Sequence, residues 1–321
     1  MIRSAQDILA GIFGNNADTV GANLAKESSE ADRLRQAKLP RIRDTRVFVV
    51  ANQKGGVGKT TTAVNLAAAF SEYNANVLVI DMDPQGNAST ALGIPHTQGT
   101  LSAYDVIEGR AKMAEAIQPC PDLPSLDVVP STIDLSGAEL EISTLPNRTN
   151  LLKRALTEYL RESEKHYDYV FIDCAPSLGL LVLNAFSAAT EVLIPIQAEY
   201  YALEGLGQLL NTIQLVQHSI NPGLRISTML VTMYDKRTLL SQEVYEEVKE
   251  HYPQALLQTY VPRAVKMSEA PSFGKTIISY DPKSGGSNAY RQAALEIATK
   301  GAAVEREERE ARNREAEAAN A

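Results

Sequence analysis

The residues that could do chemistry in this chain are concentrated in one short, glycine-rich stretch. The stretch ANQKGGVGKTTT, residues 51–62, places three glycines directly before Lys59 and Thr60. Glycines let successive backbone N–H groups turn toward one point, where they can cradle phosphate oxygens. A lysine adds a cation to such a cradle, and a neighbouring hydroxyl is a suitable Mg²⁺ ligand. The pattern therefore predicts a phosphate-binding loop.

The segments around the loop are the ones that such a loop needs. The run RVFVVA before it predicts a strand and TTTAVNLAAAF after it a helix, whose positive end would face the phosphates. Lys59 is predicted to reach the β- and γ-phosphates, Thr60 to ligate Mg²⁺, and Thr61 to lie near the α-phosphate. The general pattern expects glycine at position 53, where this chain has Gln53, so the string follows the variant K-G-G-x-G-K-T-T.

Three acidic residues follow two further apolar runs. Asp83 ends VLVIDMD, where it could orient an attacking water or bind the metal indirectly. Asp81, two residues earlier, is more consistent with support of that loop. Asp173 ends YVFIDC and is expected to hold the Mg²⁺ shell through water.

From Arg46 onward, short β-rich runs alternate with helical ones. Seven runs are strand candidates: RVFVVA, VLVIDMD, LDVVPS, YDYVFIDC, EVLIPIQ, RISTMLVTM and ALLQTYVP. The helical runs are TTTAVNLAAAFSEY, LLKRALTEYLRESE, ALEGLGQLLNTIQLVQHSI and LSQEVYEEVKEHY. The alternation predicts an α/β fold of P-loop NTPase type, with a doubly wound, mostly parallel sheet and helices on both faces. Its ligand should bind at the carboxyl ends of the strands.

The ends of the chain differ from this pattern. We expect residues 1–45 to be an N-terminal extension, flexible apart from a short helix over residues 2–13. This helix places apolar side chains on one face, which could contact a partner, lipid or the protein's own surface. Residues 46–300 form the predicted ATPase domain. Residues 301–321 mix Glu and Arg at helical spacing and are expected to be a charged tail, either a solvated helix or disordered.

Composition limits the class of protein. The 321 residues contain two cysteines, Cys120 and Cys174, too few for a disulfide framework, which indicates a reducing compartment and hence the cytoplasm. No run approaches the ~20 apolar residues of a membrane span, so no membrane is expected. The four histidines show no metal-binding spacing. A net charge of −8 argues weakly against nucleic acid but does not exclude a local basic patch.

These motifs together resemble one family. The loop and the segments VLVIDMDPQGNAST, YDYVFIDCAPSLG, AEYYALEGLGQLLNTI and VPRAVKMSEAPSFGKTIISYDPKSGGSNAY are similar to the ParA/Soj chromosome-partitioning ATPases of the ParA/MinD group, over about residues 46–300. The resemblance implies an ATPase that uses ATP and Mg²⁺, with weak turnover of its own that a partner stimulates. It also implies that Lys54 crosses an ATP-sandwiched homodimer to the partner subunit's phosphates, and that Asp83 is needed for hydrolysis.

The resemblance carries over to individual residues. The implied catalytic residues are Lys54, Lys59 and Asp83. The implied nucleotide-binding residues are Lys54, Gly55, Gly56, Val57, Gly58, Lys59, Thr60 and Thr61, with Pro262, Arg263 and Ala264 on the adenine side.

DNA and a second protein are the partners that the resemblance implies. Family members bind double-stranded DNA without sequence preference through two loops, here MYDKRTLLSQEV and VPRAVKMSEAPSFGK, which contain Lys236, Arg237, Arg263, Lys266 and Lys275. Arg237 and Lys266 occupy the matching DNA-binding positions, and Lys266 stands where arginine is common. A ParB-type centromere-binding protein would stimulate hydrolysis, and the chain would associate with the nucleoid.

Two other functions stay open on the sequence. A MinD-like ATPase that positions cell division would need a lipid anchor, and the C-terminal tail has almost no large apolar residues. An electron-transfer relative would need two ligand cysteines for a cluster shared between subunits. Cys174 adjoins Asp173 and Cys120 lies between prolines, which is a poor arrangement for such ligands.

Overall fold

Seven strands form one sheet in the computed structural model, which describes residues 21, 25–200 and 202–319. The strands are β1 (Arg46–Val50), β2 (Val77–Met82), β3 (Gln118–Pro119), β4 (Leu126–Val129), β5 (Tyr169–Cys174), β6 (Glu191–Gln197) and β7 (Arg225–Thr232). Their order across the sheet is β3-β4-β2-β5-β1-β6-β7. Only β3 runs antiparallel to its neighbour among these strands.

Helices cover both faces of the sheet. They are α1 (25–35), α2 (Lys59–Glu72), α3 (Asn87–Ala91), α4 (Ala103–Glu108), α5 (Met113–Ala116), α6 (Leu135–Ile142), α7 (Leu151–Glu162), α8 (Leu180–Ala188), α9 (Ala202–Ser219), α10 (Leu239–His251), α11 (Val265–Glu269), α12 (Ile277–Tyr280) and α13 (Gly285–Ala319). A short 3₁₀ helix spans Ala270–Phe273. Two apolar clusters, one on each face, bury the strands almost completely. The predicted fold class is confirmed.

Register brings the chemistry-bearing strand ends together. β1 lies between β5 and β6, and β2 lies on the far side of β5. Asp81 of β2 is the register partner of Asp173 of β5. Because parallel strands end at the same edge, the phosphate loop after β1 opens beside both carboxylates.

Six of the seven predicted strands form, and the seventh, ALLQTYVP, does not. Leu257 N donates to Met229 O at 2.9 Å and Val261 N to Val231 O at 2.8 Å, so the segment runs beside β7. The intervening ladder donor, the Thr259 N–H, donates instead to the Glu296 carboxylate of α13 at 3.2 Å, and the Gln258 N–H donates to the same carboxylate at 2.8 Å. The ladder is therefore interrupted and leaves two isolated bridges. The short strand β3 was not predicted from the sequence.

The segment 25–44 and helix α13 pack against the domain. Ala31 and Leu34 of α1 are buried, and the Glu72 carboxylate of α2 accepts from both Arg35 and Arg291. The helix predicted over residues 2–13 lies outside the described residues. The tail is helical through Ala319 as part of α13. No helix in the described ranges is long and apolar enough to cross a membrane.

Candidate nucleotide-binding site

The ends of β6 and β7 hold the phosphate loop in place. Asn52 Nδ2 donates to Pro195 O of β6 at 2.9 Å, and Thr232 Oγ1 of β7 donates to Val57 O at 2.8 Å. Gly58 adopts φ +88°, a left-handed conformation that favours glycine, directly before α2 begins. The amino end of α2 therefore opens onto the loop.

Lys59 lies among the acids of the site. Its side chain is only 7% exposed, and Nζ donates to Lys54 O at 3.1 Å. Burial lowers the Lys59 pKa, while the negative charges of Asp173 and Asp83 oppose that shift. A polyanion bound in the loop would supply further negative charge to stabilise the protonated Lys59 ammonium group.

Asp173 has one oxygen engaged and one without a partner. Its Oδ2 accepts from Thr60 Oγ1 at 2.7 Å, whereas its buried Oδ1 has no hydrogen-bond partner in the part of the chain that the structure describes. Burial raises the pKa of Asp173 well above its usual range, and the neighbouring charge of Asp81 adds to the increase. A buried oxygen without a partner next to a threonine hydroxyl fits a hydrated Mg²⁺ ion, which prefers oxygen ligands and keeps several waters.

Asp83 lies at the mouth of β2. It is 8% exposed, and its Oδ1 accepts from Gln85 N at 3.0 Å. Its backbone N–H in turn donates to Asp81 Oδ1 at 3.2 Å. The carboxylate that the sequence assigns to hydrolysis therefore stands at the site with a fixed backbone.

A cavity of about 540 Å³ brings most of the predicted residues together. The residues predicted from the sequence that line this cavity are Gly55, Gly56, Gly58, Lys59, Thr60, Thr61 and Asp83. Asp173 lies beneath Thr60, and Val57 faces inward with its side chain buried. This volume is within the range of small-molecule sites, so the cavity can accommodate a nucleotide.

Several lining residues were not predicted. Asn65 joins two elements of the site, since its Nδ2 donates to Thr61 O and its Oδ1 accepts from Ile277 N. Its polar side chain inside the apolar run AVNLAAAF was the one signal available. Met233, at φ +52°, and Lys275 also line the cavity, and Lys275 was assigned by sequence to a basic loop instead.

Lys54 lies on the rim rather than in the cavity. Its Nζ is 3.4 Å from Glu199 Oε2, and Arg263 Nη2 is 3.4 Å from Oε1 of the same carboxylate. Both cations are partly exposed, as is Glu199. One acidic side chain thus holds the second loop lysine and the arginine predicted on the adenine side.

A second groove is lined by residues that the sequence assigns to the adenine side and to DNA binding. It has a volume of about 1170 Å³, and Pro262, Arg263 and Arg237 line it together with Glu27 and Glu30 of α1. Pro262 and Arg263 therefore face this groove and not the 540 Å³ cavity, so their role toward a base stays a prediction.

The two predicted DNA-binding cations each pair with an acid of their own chain. Arg237 is 84% exposed and reaches Asp235 at 2.7 Å, and this contact lowers the pKa of Asp235 to about 2. Lys266 Nζ lies 2.7 Å from Asp281 Oδ2. Exposed ion pairs contribute little free energy, so a phosphate could displace either acid.

Comparison with known proteins places these features in one family. A family model described as an AAA domain matches residues 45–226. Soj, the sporulation initiation inhibitor protein of Bacillus subtilis, is 47% identical over 256 residues, which cover 80% of this chain and 99% of Soj. The chromosome partitioning protein ParA of Caulobacter vibrioides is 48% identical over 252 residues, covering 78% of this chain and 93% of that protein.

Solved structures show the same fold. Cobyrinic acid a,c-diamide synthase from Mycobacterium smegmatis, solved with a bound ATP analogue and magnesium, is 37% identical with a TM-score of 0.67, covering 78% of this chain and 93% of that one. A plasmid partition protein of Borrelia burgdorferi is 26% identical with a TM-score of 0.58, covering 75% of this chain and 99% of that one. The chain belongs to the Soj/ParA family of chromosome-partitioning P-loop ATPases.

Proposed function

We propose that this ATPase is a dimerising switch that binds DNA without sequence preference and moves chromosomal or plasmid DNA with a ParB-type partner. ATP closes a homodimer, the dimer binds DNA, and hydrolysis of ATP resets it. The observation that carries the proposal is the division of the two loop lysines. Lys59 is buried among the site acids, whereas Lys54 stands partly exposed on the rim of the same loop.

The residues of one subunit divide the work at the triphosphate. Lys59 and the loop N–H groups bind the β- and γ-phosphates. Thr60 and, through water, Asp173 would hold Mg²⁺, which when bound neutralises phosphate charge. Asp83 orients the attacking water.

Lys54 contacts the triphosphate of the second subunit when the dimer forms. In the single chain its ammonium group is held at 3.4 Å by Glu199, an exposed contact worth at most about 1 kcal/mol. A triphosphate presented by a partner subunit carries several negative charges and would outcompete that single carboxylate. Lys54 would then add positive charge where negative charge develops during hydrolysis.

DNA binding follows from dimerisation. Arg237 and Lys266 are exposed and would contact phosphates of the DNA backbone. An acidic monomer with so few cations on one face binds DNA weakly, and a dimer doubles the number of phosphates neutralised. The protein would therefore occupy the nucleoid in the cytoplasm only while ATP is bound.

The test is DNA co-sedimentation with no nucleotide, with ADP and with ATP, across a salt series. We expect binding with ATP only, lost steeply as salt rises. Lys59→Ala should abolish ATP binding, Lys54→Ala should bind ATP without forming DNA-bound dimers, and Asp83→Ala should leave dimers trapped on DNA. Binding that is equal in all three nucleotide states would contradict the proposal.

A further inference from the structure

A buried polar chain lies behind the acidic loop that carries Asp83. Asp81, Ser89 of α3 and Ser131, which follows β4, are each fully buried. Ser89 is not among the residues that line the 540 Å³ cavity. It therefore does not touch a nucleotide in that cavity, and its polar contacts must serve another purpose.

The hydroxyl of Ser89 is used both as donor and as acceptor. Ser89 Oγ donates to Asp81 Oδ2 at 2.7 Å, and the Ser89 backbone N–H donates to the same oxygen at 2.8 Å. The same Oγ accepts from Ser131 N at 3.0 Å. Three elements, β2, α3 and the end of β4, thus meet at one hydroxyl, and an alanine at this position could make neither side-chain contact.

The other oxygen of Asp81 is directed at the acidic loop that carries Asp83. Asp81 Oδ1 accepts the Asp83 N–H at 3.2 Å, Asp83 Oδ1 accepts the Gln85 N–H at 3.0 Å, and Asp83 O accepts the Gly86 N–H at 2.9 Å. The two Ser89 donors on Oδ2 and the Asp83 N–H on Oδ1 together favour one orientation of the Asp81 carboxylate, with Oδ1 directed at Asp83.

Close packing of the same loop supports this arrangement. A Cβ added at Gly86 would lie 3.3 Å from Ser131 O and 2.9 Å from the His96 ring. The segment 83–86 is therefore pressed against the residue whose N–H completes the polar chain. Hydrogen bonds thus link the start of the loop to Ser131, and close packing beside Ser131 leaves no room for a side chain at its end.

We propose that Ser89 is a positioning residue for ATP hydrolysis, which orients Asp81 so that Asp81 fixes the backbone of Asp83. This inference rests on the proposed role of Asp83 in hydrolysis. Positioning errors on the scale of 1 Å can cost up to about 100-fold in rate. The contact should matter for turnover and not for ATP affinity, because neither Ser89 nor Asp81 lines the nucleotide cavity.

The experiment compares Ser89→Ala with Ser131→Ala. Ser131→Ala is the matched control, because Ser131 is equally buried and contributes its backbone N–H to the chain, which alanine keeps. We measure kcat at saturating ATP, the Kd of a fluorescent ATP analogue, and hydrogen exchange of the Asp83 amide, at a temperature where circular dichroism shows every variant folded. For Ser89→Ala we expect kcat to fall about tenfold, Kd to change less than about twofold, and the Asp83 amide to exchange faster, whereas Ser131→Ala should match the wild type.

A parallel Asp83→Ala variant separates the two claims. If Asp83→Ala loses turnover while Ser89→Ala keeps the wild-type kcat, the inference about Ser89 is wrong and the role of Asp83 stands. If Asp83→Ala keeps its turnover, the role of Asp83 is wrong. A loss of ATP affinity equal to the loss of kcat in Ser89→Ala would also overturn the positioning role.

Discussion

The amino and carboxyl ends of the parallel strands differ in whether their buried charged groups are paired. At the amino end, Arg46 of β1 donates to both oxygens of Glu191 of β6 at 2.7 Å and to Ile297 O of α13 at 2.9 Å. At the carboxyl end, Asp81 and Asp173 are register partners, with Lys59 as the nearby cation and one Asp173 oxygen unpaired.

The pKa shifts follow this difference. Burial alone would raise the pKa of Glu191, but its hydrogen bonds and the charge of Arg46 outweigh burial and lower it. Burial raises the pKa of Asp81 to about 6. Burial also raises the pKa of Asp173, and the negative charge of Asp81 raises it further. Equally buried carboxylates thus differ because Glu191 is paired with a cation, whereas Asp81 has only neutral hydrogen-bond donors and Asp173 keeps one oxygen without a partner among the described residues.

The comparison separates stability from function. A buried pair with all its hydrogen bonds satisfied fixes the packing of β1, β6 and α13, and disrupting one partner leaves a bare charge. At the other end, the Asp173 oxygen without a partner costs stability in the free protein, and a bound ligand could supply that partner. Substitutions at the amino end should therefore lower stability and leave ATP turnover unchanged, whereas substitutions at the carboxyl end should lower turnover.

Glu191→Gln should give the largest loss of stability. It leaves the Arg46 guanidinium buried without its counter-ion, which costs about 3–5 kcal/mol of unfolding free energy. Urea denaturation measures the loss, and ATP turnover per folded molecule should stay unchanged. Arg225→Gln is the control, since Arg225 also contacts Glu191 but is 44% exposed, and should cost less than about 1 kcal/mol.

Asp173→Asn should give the largest loss of function. It removes the charge that would hold the Mg²⁺ shell, and we expect kcat to fall by about 100-fold or more. Steady-state phosphate release at saturating ATP and Mg²⁺ checks this. A variant with wild-type turnover would remove Asp173 from the site.

Gly301→Ala should destabilise the amino end by a smaller amount. An added Cβ would overlap Arg46 Nη1, so the guanidinium must shift, at a cost of about 1–3 kcal/mol. Gly207→Ala in α9 meets no atom within 4 Å and should stabilise the protein by about 0.5–1 kcal/mol. Thermal unfolding of the two variants should thus shift in opposite directions.

The pH dependence should be the mildest effect. Without nucleotide, the raised pKa of Asp81, about 6 against an ordinary 3.8, means that the folded chain takes up a proton before the unfolded chain does. Stability should therefore rise as pH falls from 7 toward 5. The lowered pKa of Glu191 gives stability that is lost at more acidic pH. Urea midpoints between pH 4 and 7.5 should pass through a maximum, and a monotonic fall from pH 7.5 would contradict the assignment.

The carboxyl end could be predicted from the sequence because its chemistry is local. The phosphate loop lies within residues 51–62, and Asp83 and Asp173 end apolar runs that are typical of buried strands. Parallel strands then bring those ends to one edge of the sheet. Local motifs combined with one topological rule were sufficient for most of this site.

The rest depends on contacts between distant residues. Arg46 and Glu191 are 145 positions apart, as are Lys54 and Glu199, and no local pattern pairs them. Ser89 lies in a run of small polar residues and carries no motif of its own. The strand predicted over ALLQTYVP failed for the same reason, because the Glu296 carboxylate that interrupts it comes from a separate helix.

The most direct test of this contrast is thermal unfolding of the wild type and Asp173→Asn, each with and without Mg²⁺ and ATP. Without ligand, Asp173→Asn should melt at a higher temperature than the wild type, because the repulsion with Asp81 and the cost of a buried charge are removed. With Mg²⁺ and ATP, the wild type should gain several degrees and the variant much less. A ligand-free variant that melts below the wild type, or equal gains in both proteins, would contradict the view that the carboxyl end holds its charges for a ligand.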